Sequence, residues 1–355
     1  MKIRILTKAM LLALLTIVFS GCDGSSNNNT VSMGNLAAFV SASRASTSGN
    51  YTLQFEQSGR WVIYVGGTPR SIDYSRPAAF SGGEDITFDT FGENRRFFFD
   101  AFLNSGNALF SEFHIPLAGV DNTREFGGYE GAGGKFIAFG HLYRSGKLSS
   151  TTADDLGYLK SMALSDVVDL RSESQFLGTP DILPEGVLRH NYPLSSDIDF
   201  NDEMKKVILG EADAYQVMID FYSADIEESN IQSWIGVFEI LERGGPVMFH
   251  CSAGKDATGM TAVLLLSALG VDRETVIEDY TKSDIFLADW IEEEVAEAEK
   301  IFPGGGERLR PMLEAKREYM ETFLETVERQ FGSMSDLLRN VIHVDVELLQ
   351  NLYLR

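Results

Sequence analysis

The rhythm of apolar and polar positions changes once along the chain, near Pro116. From residue 31 to 116 the period is two. Residues 51–55 (YTLQF) and 86–91 (ITFDTF) alternate, and 61–65, 97–99 and 109–115 add aromatic and β-branched runs. Those residue types suit a pleated, half-buried surface and predict strands. Glycine-rich turns at 66–69 (GGTP) and 81–83 (SGG) separate them, and short strands so spaced predict a β-sandwich-like module.

Beyond Pro116 the pattern is mixed. Short apolar runs at 136–139, 166–170 and 246–250 read as strands, alternating with helical patterns at 152–162, 201–222 and 226–243. Apolar strands spaced by long helices predict a covered, largely parallel sheet. Further helices are predicted at 258–269, 273–283, 287–301, 312–330, 334–342 and 345–354, with a loop at the glycine triplet 304–306. The expected fold class is therefore α/β: a β-sandwich-like module over 31–116, loosely similar to a fibronectin type III module, then an α/β domain over 117–355 with a helical C-terminal part.

Composition narrows the chemistry. With 30 Lys and Arg against 52 Asp and Glu, the net charge of -22 repels phosphate backbones, so nucleic acid is not an expected partner. An anionic substrate needs a locally positive pocket. Two cysteines, Cys22 and Cys251, exclude a disulfide-stapled scaffold.

Lys2, Arg4 and Lys8 precede an apolar run over 9–19, too short to span a bilayer, so residues 1–21 read as a signal peptide. The sequence FSGC at 19–22 resembles a bacterial lipobox. That resemblance implies a lipid on Cys22, residues 22–30 as a polar tether, and a protein held in the bacterial cell envelope, facing the periplasm or the exterior. With Cys22 acylated, Cys251 has no intramolecular partner, and chemistry becomes its expected role.

The informative segment is PVMFHCSAGKDATG at 246–259, a buried strand running into a loop that opens an apolar helix. Successive loop N–H groups, a glycine that permits close approach and the positive end of a helix together make an anion cradle. The same setting favours thiolate over thiol at Cys251 and makes it a nucleophile. Lys255 adds charge, and Asp256 places a carboxylate where a leaving group can reach it.

At these residues the chain resembles the cysteine-dependent phosphatases, and within them the bacterial protein-tyrosine and phosphoinositide phosphatases with the loop HCxxGKDRTG, matched at nine of ten positions. NTREFGGY at 122–129, LYRSGKL at 142–148, VVDLRS at 167–172 and EDY at 278–280 resemble further blocks of that group. The resemblance implies a tyrosine-phosphatase-like catalytic domain in which Cys251 forms a phosphocysteine and Asp256 is the general acid. Ser252, Ala253, Gly254, Lys255, Ala257 and Thr258 are then phosphate-binding positions, and Thr258 can hydrogen-bond the Cys251 sulfur. Expected substrates are a phosphotyrosine protein or a phosphoinositide-like molecule.

One departure matters. Where the group has arginine, this chain has Ala257. A guanidinium there grips two phosphoryl oxygens, which the point charge of Lys255 cannot copy, and by analogy with arginine fingers its loss costs roughly 10³ to 10⁵ in rate. The alternatives are an impaired hydrolase, a phosphate-binding pseudophosphatase, or an interaction lipoprotein using its β module.

Neighbouring features have plainer readings. His250 is read as orienting the loop, and Arg144 and Arg171 as scaffold pairs rather than substitutes for the missing guanidinium. Asp197 and Asp199 are read as loop or capping residues, and the acidic run 291–299 as the wet face of an amphipathic helix. No metal or cofactor is expected, because no zinc, nucleotide or flavin motif is present.

Overall fold

The computed structural model describes residues 34–35, 39–104, 106–194 and 200–355, so Cys22 and its flanking segment, Asp197 and Asp199 lie outside the described residues. The rhythm of two becomes β1 (Gly34–Asn35), β2 (Val40–Arg44), β3 (Tyr51–Phe55), β4 (Trp61–Gly66), β5 (Ala79–Ser81), β6 (Ile86–Phe88), β7 (Phe98–Leu103) and β8 (Gly106–Phe110). They form two sheets, ordered β2-β3-β6 and β1-β8-β7-β4-β5. Val40, Ala42, Tyr51, Leu53 and Phe55 of the first share one core with Trp61, Ile63, Phe99, Ala101, Ala108 and Phe110 of the second. Alternate residues face inward in both sheets, as a sandwich requires.

The second region begins with β9 (Arg124–Glu125) and β10 (Leu142–Ser145). It continues through α1 (Ala153–Ser161), β11 (Asp166–Asp169), α2 (Glu173–Gly178), β12 (Leu188–Asn191), α3 (Phe200–Leu209), α4 (Ala214–Ser223), α5 (Glu228–Leu241) and β13 (Val247–His250). The sheet order is β12-β11-β13-β10-β9. β10, β11, β12 and β13 run parallel, and β9 is antiparallel to β10. The central β13 is buried at every residue, which explains its unbroken apolar run.

From β13 the chain enters α6 (Asp256–Ala268), α7 (Arg273–Thr281), α8 (Ser283–Phe286), α9 (Ala288–Ile301), α10 (Gly305–Leu313), α11 (Arg317–Phe331), α12 (Met334–Asp336) and α13 (Val346–Tyr353). α6 buries nearly its whole length. In α9 the buried positions are Ile291, Val295 and Ala298 while most of its glutamates face water, as the acidic run predicts. Both regions belong to one compact unit, Met33–Arg355. Among the described residues, no helix is long and apolar enough to cross a membrane.

Three expectations are corrected. The predicted strand at 136–139 is only a pair of isolated bridges, one of them to Leu354; the sheet strand is β10, whose polar Arg144 and Ser145 hid its burial. The predicted helix at 201–222 is two helices. Gly210 adopts φ +80, and the Asp213 carboxylate accepts from Gln216 N to start α4 afresh. The glycine triplet is not simply a loop: Gly305 and Gly306 open α10. A Cβ on Gly306 would lie 2.4 Å from Val295 O, so the missing side chain lets α10 pack onto α9.

Candidate active site

Residues 251–258 leave the end of β13 and run into α6, and Cys251 is a free, buried thiol. The carbonyls of residues 251–254 all have partners outside the loop. His250 Nδ1 donates to Cys251 O (3.1 Å), and Lys147 N donates to Ser252 O (2.9 Å). Asn122 Nδ2 donates to Ala253 O and Gly254 O (3.0 Å each), and an Arg144 amino group donates to Gly254 O (2.7 Å). Gly254 has φ +70, and a Cβ there would meet Ser145 O at 2.3 Å, so only glycine fits between the loop and β10. Among the described residues, no hydrogen bond uses the N–H groups of residues 252–258. Unpaired loop amides and the positive end of a buried helix make a site for an anion.

A buried charge cluster braces this arrangement. Arg124 Nε and Arg144 reach opposite oxygens of the Asp279 carboxylate, at 3.2 and 2.6 Å. Arg124 also bonds Asp279 O (2.8 Å), Ser283 Oγ (3.2 Å) and the side-chain oxygen of Asn122. Burial alone would raise the Asp279 carboxyl, but the two guanidiniums hold it below the usual carboxylate range. Burial, and then Arg144, bring Arg124 down to about 10, so Arg124 remains charged at neutral pH. The blocks at 122–129, 142–148 and 278–280 thus meet behind the loop, although they are far apart in sequence.

The side chains of Lys255 and Thr258 are placed differently from the loop amides. Lys255 is 2% exposed, and its ammonium is taken by Met312 O (2.5 Å), Glu314 O (3.1 Å) and Asp256 Oδ1 (3.5 Å). Its three N–H bonds face these acceptors, at the C-terminal end of α10 and on Asp256, so it anchors the loop instead of reaching into it. Thr258 Oγ1 is buried and makes no hydrogen bond to the Cys251 sulfur or to any other atom among the described residues. Asp256 opens α6 with its side chain 29% exposed, and its Oδ1 accepts from the Tyr222 hydroxyl (2.7 Å). Ser252 is exposed, while Ala253 and Ala257 are half-buried.

Arg171 is a scaffold residue. Its Nε and one amino group bind Asp169 (2.6–3.0 Å), that amino group reaches Asp181 (2.9 Å), and the other bonds Thr179 O and Oγ1 (3.1 Å each). All five of its N–H bonds are therefore committed. His250 Nε2 lies 3.0 Å from Asp181 Oδ2. Burial would raise Asp181, but His250 and then Arg171 hold it below its usual range. Asp169, Asp181 and His250 bring ligand atoms within 4.8 Å of one another, but the guanidinium of Arg171 already bridges the two carboxylates there. Sequence reading missed Asp181 and Tyr222, which lie outside any motif. It quoted Asn122, Arg124 and Asp279 without a role.

Residues 115–355 match the family described as the tyrosine phosphatase family. A Cupriavidus necator protein named as a tyrosine-protein phosphatase is 29% identical over 242 residues, 66% of this chain and 86% of that protein. The triple specificity protein phosphatase PtpB of Mycobacterium tuberculosis is 26% identical over 235 residues, 57% of this chain and 85% of that protein. A solved structure of TpbA from P. aeruginosa aligns at 16% identity with a TM-score of 0.24, over 54% of this chain and 90% of that one. A match covering 115–355, from β9 through the thiol-bearing loop to the last helix, establishes that this chain belongs to the tyrosine phosphatase family.

Proposed function

We propose that the chain is a phosphate monoester hydrolase working through a phosphocysteine, slowed by Ala257. The observation that carries this reading is the division of the loop: the carbonyls of residues 251–254 are bonded outward, and the N–H groups of 252–258 have no partner among the described residues. Those amides suit the three non-bridging oxygens of a phosphoryl group. The Cys251 thiolate attacks phosphorus, the S–P bond forms and the P–O bond breaks, and Asp256 gives its proton to the departing oxygen. Water then attacks phosphorus and gives Asp256 a proton, and the S–P bond breaks to return thiolate and phosphate. Phosphotyrosine is the first substrate to test, and a phosphoinositide-like molecule the second. We place the protein in the bacterial cell envelope through a lipid on Cys22.

Ala257 supports a second reading, a pseudophosphatase that binds phosphate esters without turning them over. Assays with aryl phosphate on the native chain, Cys251→Ser and Ala257→Arg separate the two. The hydrolase reading expects native turnover that Cys251→Ser abolishes and Ala257→Arg raises by roughly 10³ or more. Turnover in Ala257→Arg alone favours the pseudophosphatase. Absence of turnover in every chain contradicts the hydrolase. The anchor is checked by intact mass: an unmodified Cys22 in the envelope fraction contradicts it.

A further inference from the structure

Tyr222 has no place in any motif, yet its hydroxyl is the closest side-chain partner of the carboxylate assigned to proton transfer. It sits on α4, 1% exposed, and donates to Asp256 Oδ1 at 2.7 Å. Behind it stands Tyr280 of α7, also 1% exposed, with the two hydroxyls 3.0 Å apart. Tyr222 can donate one proton only. With that proton on Asp256, Tyr280 must be the donor to Tyr222, so the chain runs Tyr280 to Tyr222 to Asp256. Burial, and then the Asp256 carboxylate, push both phenols well above their ordinary value, so both stay protonated donors at working pH. The Tyr222 ring is stacked on Tyr319 at 5.9 Å and 11° and meets Tyr280 edge-on at 6.1 Å, which fixes where its hydroxyl points. Lys255 also faces that oxygen, Oδ1, at 3.5 Å. Asp256 Oδ2 has no hydrogen-bond partner among the described residues.

We infer that Tyr222, backed by Tyr280, is a positioning residue for Asp256: it holds Oδ1 so that Oδ2 is the oxygen that exchanges a proton with the leaving group. This rests on the hydrolase reading, because Asp256 needs positioning only if a leaving group takes its proton. General-acid help matters most for a poor leaving group and little for a good one. Misplacing the acid therefore has a signature that a loss of folding or of phosphate affinity lacks. It also gives the tyrosine of the EDY block a chemical reason to face the loop.

The test compares phenyl phosphate, whose leaving group needs a proton, with 2,4-dinitrophenyl phosphate, whose leaving group does not. Both are measured on the native chain and on Ala257→Arg, each with and without Tyr222→Phe, which keeps the stacked ring. We expect Tyr222→Phe to lower kcat/KM, which reports the step in which the leaving group departs, about tenfold for phenyl phosphate and to leave it within about twofold for 2,4-dinitrophenyl phosphate. Tyr280→Phe, one bond further away, should show the same selectivity at about threefold. In the Asp256→Asn background Tyr222→Phe should cost nothing more, since the two act as one unit. Equal losses on both substrates, or losses that multiply with Asp256→Asn, overturn the inference and leave the hydrolase reading intact. If Ala257→Arg hydrolyses neither substrate, the hydrolase reading falls and this inference falls with it.

Discussion

Two buried polar clusters lie on either side of β9, and they carry opposite excess charge. On the sandwich side, Arg96 is buried against two carboxylates, Glu112 and Glu125, with Tyr143 bonded to its guanidinium at 2.8 Å and Tyr158 bonded to Glu112. Behind the loop, Asp279 is buried against two guanidiniums, Arg124 and Arg144. Glu125 and Arg124 are sequence neighbours on β9 and belong one to each cluster. In the first, burial outweighs the pull of Arg96 and raises Glu125 to about 7. In the second, the arginines keep Asp279 ionised. A carboxylate excess in low dielectric takes up a proton, whereas a guanidinium excess cannot shed one, and so leaves positive charge beneath a loop whose amides have no partner among the described residues.

The largest expected effect comes from removing the one acid of the second cluster. Asp279→Asn leaves two guanidiniums facing each other in the interior and should cost about 3–5 kcal/mol in urea unfolding. An unchanged midpoint would mean that the cluster does not hold its charges as described. Next is Glu125→Gln. A carboxyl raised in the folded state gives stability that is complete below its unfolded value near 4.5 and is lost as pH rises through about 7. The native chain should therefore lose about 3 kcal/mol over that interval that the neutral glutamine does not lose, and parallel pH–stability curves would remove the contrast between the clusters.

Smaller effects sharpen the loop side. Asn122→Ala removes the donor to two loop carbonyls and should cost about 1–3 kcal/mol in stability while weakening inorganic phosphate binding. Full affinity in this variant would show that the outward bonds do not aim the amides. Lys255→Met should leave phosphate affinity within about threefold, since its ammonium points at Met312, Glu314 and Asp256 and acts on the ligand only at a distance. A loss of a hundredfold would restore Lys255 as a direct contact.

The sequence was most readable where one local rule decides the outcome. The alternation at 51–55 and the apolar run before His250 sufficed for the sandwich and the central strand, and the loop was visible because its residues are contiguous. What escaped was settled by tertiary partners. β10 carries an arginine and a serine that are buried with their partners: Arg144 on Asp279 and Gly254 O, Ser145 on Gly146 O and against Met248. The loop sequence marks Lys255 as a phosphate position and carries no signal for the carbonyls at the end of α10 that receive its ammonium. Tyr222 had no signal at all, since only the packing of α4 against α10 and α11 brings its hydroxyl to Asp256.

The most direct test of the central claim is a titration of the native chain with inorganic phosphate, followed through the backbone amide resonances of residues 252–258. A cradle made of main-chain donors, working without an arginine, predicts saturable shifts concentrated on those seven amides and smaller ones elsewhere. Saturable shifts that miss these amides, or none at phosphate levels that saturate Ala257→Arg, would contradict it.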